Sequence, residues 1–318
     1  MKITVIGCGR WGSFIAYYLD TLGHNVTLYG REASENFRGF LETRSNGLLT
    51  LGENVALTSD IRSALDAEAV VISINSQGLR GLCGELASVG LRDKYIVLCM
   101  KGLEIGTGCR LSEVVAQTLD PSNRTAVWIG PGHVQEFLCG IPNCMVIDSD
   151  DDETKFRLVN EFSSKVIRFY YGTDLIGNEI GAAAKNVIGI AAGMLDGFSL
   201  SSLKGALMSR GTREISRLIK ALGGNELSAY GLCHLGDYEA TVFSEFSHNR
   251  KFGECFVRGE KYDKLAEGYY TVRAINALAA EHGVELPICE AVRRVLYENA
   301  PPADALQSLF MRSLKLEF

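Results

Sequence analysis

Lys185 lies within Gly177-Asn-Glu-Ile-Gly-Ala-Ala-Ala-Lys-Asn-Val-Ile-Gly-Ile-Ala-Ala-Gly193, a stretch made mostly of small and apolar residues. Written on a helix, Gly177, Gly181, Lys185, Gly189 and Gly193 recur at every fourth position and form one stripe. Glycine costs about 1 kcal/mol relative to alanine inside a helix, so such a row points to close approach of another backbone or of a ligand. Burial would disfavour the charged form of a lysine packed in that row, which suits it to proton transfer near neutrality. A lysine that snorkels past small neighbours to water is the other reading the segment leaves open.

Further polar groups stand where an open parallel sheet gathers ligands, beyond the carboxyl ends of strands. Lys101 follows the apolar run Tyr95–Cys99, and Ile129-Gly-Pro-Gly-His133 follows another, offering backbone N–H groups at Gly130 and Gly132. Later come Leu235-Gly-Asp237 and Ser247-His-Asn249-Arg250-Lys251-Phe-Gly253. The second of these, with its cations, amide, hydroxyl and imidazole, could serve as an anion-binding loop, although such a cluster taken alone is usually an ordinary polar loop. Near the N-terminus, Ile3–Ile6 runs into Gly7-Cys-Gly9-Arg-Trp-Gly12 and then a helical pattern. In that context Gly-x-Gly-x-x-Gly binds a dinucleotide: the glycines admit the pyrophosphate, and the helix start supplies N–H groups and its positive dipole end. After the second strand comes Arg31 and then Glu32. An arginine there suits a 2′-phosphate, so the cofactor reading is NADP, with NAD accepted.

The elements that must hold these residues are legible too. Ile3–Ile6, Asn25–Tyr29, Ala69–Ile74, Tyr95–Met100, Ala126–Ile129, Cys144–Ile147 and Val166–Tyr171 read as strands alternating with helical patterns such as Trp11–Leu22 and Ser112–Leu119. Gly47–Thr58 reads as a short irregular or hairpin insertion. After Gly172 helical patterns take over: Leu175–Leu195, Leu200–Leu222, Tyr262–His282, Glu290–Tyr297 and, past Pro301-Pro302, Asp304–Leu314. The expected fold is an α/β doubly wound, Rossmann-like parallel-sheet domain over residues 1–172, followed by an all-α domain over 173–318. A chain of 318 residues is long for one core and comfortable for two. A net charge of −6 without basic blocks excludes a nucleic-acid footprint. Nine cysteines, an odd number with no Cys-x-x-Cys, fit neither a disulfide framework nor a zinc site, and no metal is expected. The apolar run near Ile176–Leu195 is interrupted by Asn178, Glu179, Lys185 and Asn186, so no membrane insertion is expected. The N-terminus enters a strand pattern with no apolar signal core, and the reading is a cytoplasmic protein.

Taken in order, these motifs resemble the bacterial NAD(P)-dependent glycerol-3-phosphate dehydrogenases along essentially the whole chain. Gly-Ala-Ala-Ala-Lys-Asn-Val-Ile, continuing through Ala191-Ala-Gly-Met-Leu-Asp-Gly197 and Ser209-Arg-Gly211, is the most diagnostic part. The resemblance implies reversible reduction of dihydroxyacetone phosphate to sn-glycerol 3-phosphate for glycerophospholipid synthesis, by a homodimer. It implies that Lys185 is the proton donor and acceptor at the carbonyl oxygen, and that Lys101 touches substrate and cofactor. Gly130, Gly132, Asp237, Ser247, His248 and Asn249 are implied for substrate, and Gly7, Gly9, Arg10, Trp11, Gly12, Arg31, Val134, His248, Leu265 and Glu267 for cofactor.

The chemistry is coherent without the family. Hydride arriving at a ketone places negative charge on its oxygen, which a proton donor and nearby cations stabilise. Two lysines converging on one oxygen would also lower each other's pKa. Two positions depart from the family pattern. His248 stands where an arginine is usual, and histidine lacks the two-pronged grip on phosphate. Gly132 replaces the usual hydroxyl side chain. Both leave room for a second reading, a reductase of the same fold acting on another phosphorylated ketone or a 2-oxo compound. A third, a non-catalytic NADP-binding regulator, is opposed by retention of both Lys101 and Lys185.

Overall fold

A computed structural model describes residues 1–313. The chain forms two compact units: one from Met1–Lys101 and Cys109–Glu179, the other from Gly102–Gly108 and Ile180 onward. The boundary expected after residue 172 falls just ahead of the long helix Leu175–Gly197 (α7), and the division by packing falls inside it.

In the first unit the strands are Lys2–Ile6 (β1), Asn25–Tyr29 (β2), Ala56–Thr58 (β3), Ala69–Ile72 (β4), Tyr95–Leu98 (β5), Arg124–Ile129 (β6), Asn143–Asp148 (β7) and Ile167–Tyr171 (β8). They make one eight-stranded sheet in the order β3-β2-β1-β4-β5-β6-β7-β8. Pairing is parallel throughout except between β6 and β7. The expected doubly wound parallel sheet is present, with one antiparallel pair within it. The order runs outward from β1 to β3 and then resumes on the other side of β1 with β4. That is the switch point whose carboxyl-end crevice takes ligands in doubly wound sheets.

The helices of this unit are Arg10–Thr21 (α1), Glu35–Thr43 (α2), Leu79–Ser88 (α3), Leu111–Thr118 (α4), Val134–Leu138 (α5) and Asp152–Phe162 (α6). β4 and β5 stop earlier than their apolar runs, because the ladder ends together at Ile72↔Leu98. Residues beyond turn out as loops at the carboxyl edge, Lys101 among them. An antiparallel bridge, Ser45↔Thr50, ties the Gly47–Thr58 stretch to the residues just before it, and its last three residues join the sheet as β3 beside β2. A three-residue edge strand has too short a period to announce itself. Trp128, fully buried, centres the core among Tyr18, Phe162 and Phe169, with ring centroids 4.9–5.9 Å away.

The second unit is helical: most of α7, then Lys204–Ala221 (α8), His248–Arg258 (α9), Glu267–Glu281 (α10), Pro287–Tyr297 (α11) and Pro302–Phe310 (α12). The pattern over Tyr262–His282 becomes helix only from Glu267, and Leu314 lies outside the described residues. Ser247-His-Asn-Arg-Lys-Phe-Gly253, expected as a loop, is instead the first turns of α9. The Ser247 hydroxyl caps it by accepting the Arg250 N–H at 3.3 Å.

The glycine stripe of α7 meets its expected cause. A Cβ on Gly193 would fall 1.8 Å from the Arg250 carbonyl oxygen, and one on Gly253 would fall 2.1 Å from that of Ile190. Here α7 and α9 cross backbone to backbone. Elsewhere Glu214, buried on α8, accepts the Ile288 and Cys289 N–H groups at 2.9 and 3.0 Å. It thereby satisfies two orphan donors at the start of α11.

Candidate active site

At the end of β1, Gly7 has φ +122° and Gly12 packs against it; a Cβ on either would meet a backbone oxygen at 2.0–2.1 Å. Gly9 differs. It precedes α1 in extended conformation, and a Cβ there would meet no protein atom within 4 Å. The fold therefore requires Gly7 and Gly12, whereas no protein neighbour accounts for the bare backbone at Gly9. These residues fit the pyrophosphate of a dinucleotide. Arg10 and Trp11 open the helix, with the Trp11 ring 5.4 Å from Phe14 and 6.2 Å from Phe137 between centroids.

Arg31 follows β2 and pairs with Glu85 at 3.1 Å, both side chains well exposed. Such a pair is worth roughly 0–1 kcal/mol, so a phosphate could take the guanidinium from it at little cost. Glu32 accepts from the Ser59 hydroxyl.

Lys101 and Gly130 come together in the same unit: the ammonium donates to the Gly130 carbonyl oxygen at 2.6 Å. Gly132 has φ +147°, and a Cβ there would lie 2.4 Å from the Phe137 ring. The missing hydroxyl at this position is thus coupled to the phenylalanine that occupies its space. Val134, buried, begins α5.

In the helical unit Lys185 is 7% exposed, which sets aside the snorkelling reading. Its ammonium lies 2.6 Å from the Asp237 carboxylate and donates to the Thr241 hydroxyl at 2.9 Å. Asp237 is 1% exposed and sits on the short turn Leu235–Asp237, and Thr241 sits in a π turn, Glu239–Phe243. Irregular turns of that kind recur at functional sites. Thr241 was missed in the sequence because a threonine four residues past Leu-Gly-Asp carries no signal until the turn is known.

The phosphate candidates gather at the start of α9. His248 Nδ1 lies 2.5 Å from the Tyr262 hydroxyl. Asn249 donates to the Asn186 side chain at 3.0 Å and accepts the Gly268 N–H at 2.9 Å, so it ties α9 to α7 and to the start of α10. Arg250, two residues after His248 and the next cation on α9, bonds Asp196 and the Ser244 carbonyl. Burial opposes the charge on Asp196, yet hydrogen bonds from Lys204, Arg250 and Ser201 hold its carboxyl below the usual range. Arg250 is therefore committed to a structural cluster and does not stand in for the arginine missing at His248. Leu265 is an exposed residue just ahead of α10, which Glu267 begins.

The model of the NAD-dependent glycerol-3-phosphate dehydrogenase N-terminus matches residues 2–155, and that of the C-terminus matches residues 174–307. Relatives named Glycerol-3-phosphate dehydrogenase [NAD(P)+] are 35% identical in Prosthecochloris aestuarii and 36% in Thiobacillus denitrificans, each spanning the whole of both chains. The chain belongs to the NAD-dependent glycerol-3-phosphate dehydrogenase family. A solved glycerol-3-phosphate dehydrogenase (gpsA) from Coxiella burnetii superposes with a TM-score of 0.90 at 28% identity, covering 98% of this chain and 99% of that one. The two family models and the full-length relatives make the chain an NAD(P)-dependent oxidoreductase, which sets aside the non-catalytic reading.

Proposed function

We propose that this chain catalyses the reversible NAD(P)H-dependent reduction of dihydroxyacetone phosphate to sn-glycerol 3-phosphate, feeding glycerophospholipid synthesis, with Lys185 exchanging the proton at the carbonyl oxygen. The observation that carries the proposal is the buried Lys185 ammonium held by Asp237 and Thr241 in a chain of this family. A bound nicotinamide nucleotide supplies or accepts the hydride.

The protein's part is to place a proton beside the oxygen that gains charge. The lysine gives it up during reduction and takes it back during oxidation. Asp237 and Thr241 fix the ammonium, so that little reorientation is needed when the proton moves. His248, Ser247 and Asn249 are proposed for the substrate phosphate, and Lys101, Gly130 and Gly132 for substrate contact. Gly7, Gly9, Arg10, Trp11, Gly12, Arg31, Val134, Leu265 and Glu267 are proposed for the nucleotide, with His248 and Lys101 shared. Arg31 favours NADP over NAD. A substrate other than dihydroxyacetone phosphate is not favoured, because full-length relatives share one name.

We place the enzyme in the cytoplasm as a homodimer. Among the described residues no helix is long and apolar enough to cross a membrane, and sedimentation of the 34.7 kDa chain tests the dimer. A panel of phosphorylated ketones and 2-oxo acids with NADPH and NADH tests the activity. Fastest oxidation with dihydroxyacetone phosphate is expected, and a faster unphosphorylated substrate would overturn the reading.

A further inference from the structure

His234 and Tyr238 bracket Asp237 in the chain, and both are fully buried. His234 Nδ1 lies 2.8 Å from the Gly181 carbonyl oxygen, and Nε2 lies 2.7 Å from the Tyr238 hydroxyl. A carbonyl can only accept, so Nδ1 carries the proton and donates. Nε2 is then bare and accepts from the tyrosine. Burial pushes the imidazole down to about 4, so this neutral tautomer persists at working pH. Two polar side chains in a fully buried place would each cost about 1–3 kcal/mol without their partners. Their bonds form a one-way chain from Tyr238 through His234 to α7.

Both ends of that chain lead to Lys185. Gly181 lies one turn ahead of Lys185 on α7. In an α-helix the carbonyl at 181 is also the acceptor for the backbone N–H at 185. At the other end, the Asp237 N–H bonds the His234 carbonyl at 3.1 Å, and the Tyr238 carbonyl accepts the N–H groups of Thr241 and Val242 at 3.1 and 2.6 Å. Tyr238 thus starts the π turn that presents Thr241. A Cβ on Gly181 would lie 3.0 Å from the His234 Cβ, so the glycine lets this segment approach the helix.

We infer that His234 and Tyr238 are positioning residues for Lys185: their hydrogen-bonded pair sets the spacing between α7 and the segment bearing Asp237 and Thr241. The inference rests on the proton-exchanging role proposed for Lys185. A displacement near 1 Å at a reacting group costs up to about 10²-fold in rate.

The test compares four variants with the wild type for dihydroxyacetone phosphate turnover and NADPH affinity. His234→Leu removes both bonds while keeping apolar bulk, and should lower kcat about 10–10²-fold with NADPH affinity unchanged. His234→Asn places an amide N–H where Nδ1 stands and should recover most of kcat. His234→Gln places its amide where Nε2 stands and should not. Tyr238→Phe keeps the ring, decides the matter if His234→Leu fails to fold, and should lower kcat by several-fold. Unchanged kcat in folded Leu and Phe variants overturns the inference. So does equal behaviour of Asn and Gln, or a kcat loss matched by lost NADPH affinity, since either would mean a merely structural role. Absence of turnover in the wild type would instead overturn the functional reading, and the inference with it.

Discussion

Gly193→Ala probes the glycine stripe directly. The added Cβ would fall 1.8 Å from the Arg250 carbonyl oxygen and 2.9 Å from the Glu254 N atom. Both are backbone atoms of α9, so no side-chain rotation relieves the clash, and the helices have to part by about 1.5 Å to regain ordinary contact. Overpacking of this kind costs about 1–3 kcal/mol, and the upper end applies because backbone must move. Alanine returns about 1 kcal/mol of helix propensity. The net loss is about 2 kcal/mol, which lowers the melting midpoint of a unit this size by about 4–8 °C. The loss is read by thermal unfolding followed by circular dichroism. Gly205→Ala on α8 is the control, since its Cβ would meet nothing within 4 Å and should leave the midpoint level or slightly higher. Because α9 and its Ser247 cap carry the residues proposed for the substrate phosphate, Gly193→Ala should also raise KM for dihydroxyacetone phosphate. A midpoint at or above the wild type would refute the claim that the stripe exists for close helix crossing.

Gly9→Ala should fold normally yet weaken NADPH binding about tenfold or more, whereas Gly12→Ala, aimed at the Gly7 carbonyl, should lower the melting midpoint; calorimetry and binding titration separate the two. His248→Arg should lower KM for dihydroxyacetone phosphate several-fold by restoring a two-pronged phosphate contact, and an unchanged KM would show that the His248–Tyr262 pair has rebuilt the start of α9. His234 titrates near 4 when folded, desolvation being the main cause, against 6.5 ordinarily. The unfolded chain therefore binds the extra proton first: stability is full above pH 6.5 and is lost as pH falls through about 4. At 1.36 kcal/mol per unit the loss is about 3 kcal/mol, and denaturant unfolding of His234→Asn at successive pH values should lack it.

Much of the nucleotide-binding unit was legible because parallel strands buried on both faces show as unbroken apolar runs, and because Gly7, Gly9 and Gly12 stand between such a run and a helix. β3 was not, since a three-residue edge strand has no period. The reversed direction of β7 was also hidden, because a strand's apolar run does not encode which way its neighbour points. Lys185 and Asp237 could be named from their motifs, but Thr241, His234 and Tyr238 could not. Their importance arises from irregular turns that fold Asp237 back onto α7. Ser247–Gly253 read as a loop because its polar residues mask a helix whose buried side is made by Gly253, Glu254 and Cys255. In that place a glycine signals backbone contact with α7 rather than a turn.

The proton role proposed for Lys185 is decided by dihydroxyacetone-phosphate-dependent NADPH oxidation in the wild type and in Lys185→Ala, with nucleotide affinity measured on the same samples. The expected result is turnover in the wild type that falls about 10²–10⁴-fold in the variant while NADPH still binds. Turnover unaffected by the substitution would contradict the account, and so would a variant that loses its fold or its nucleotide together with its rate.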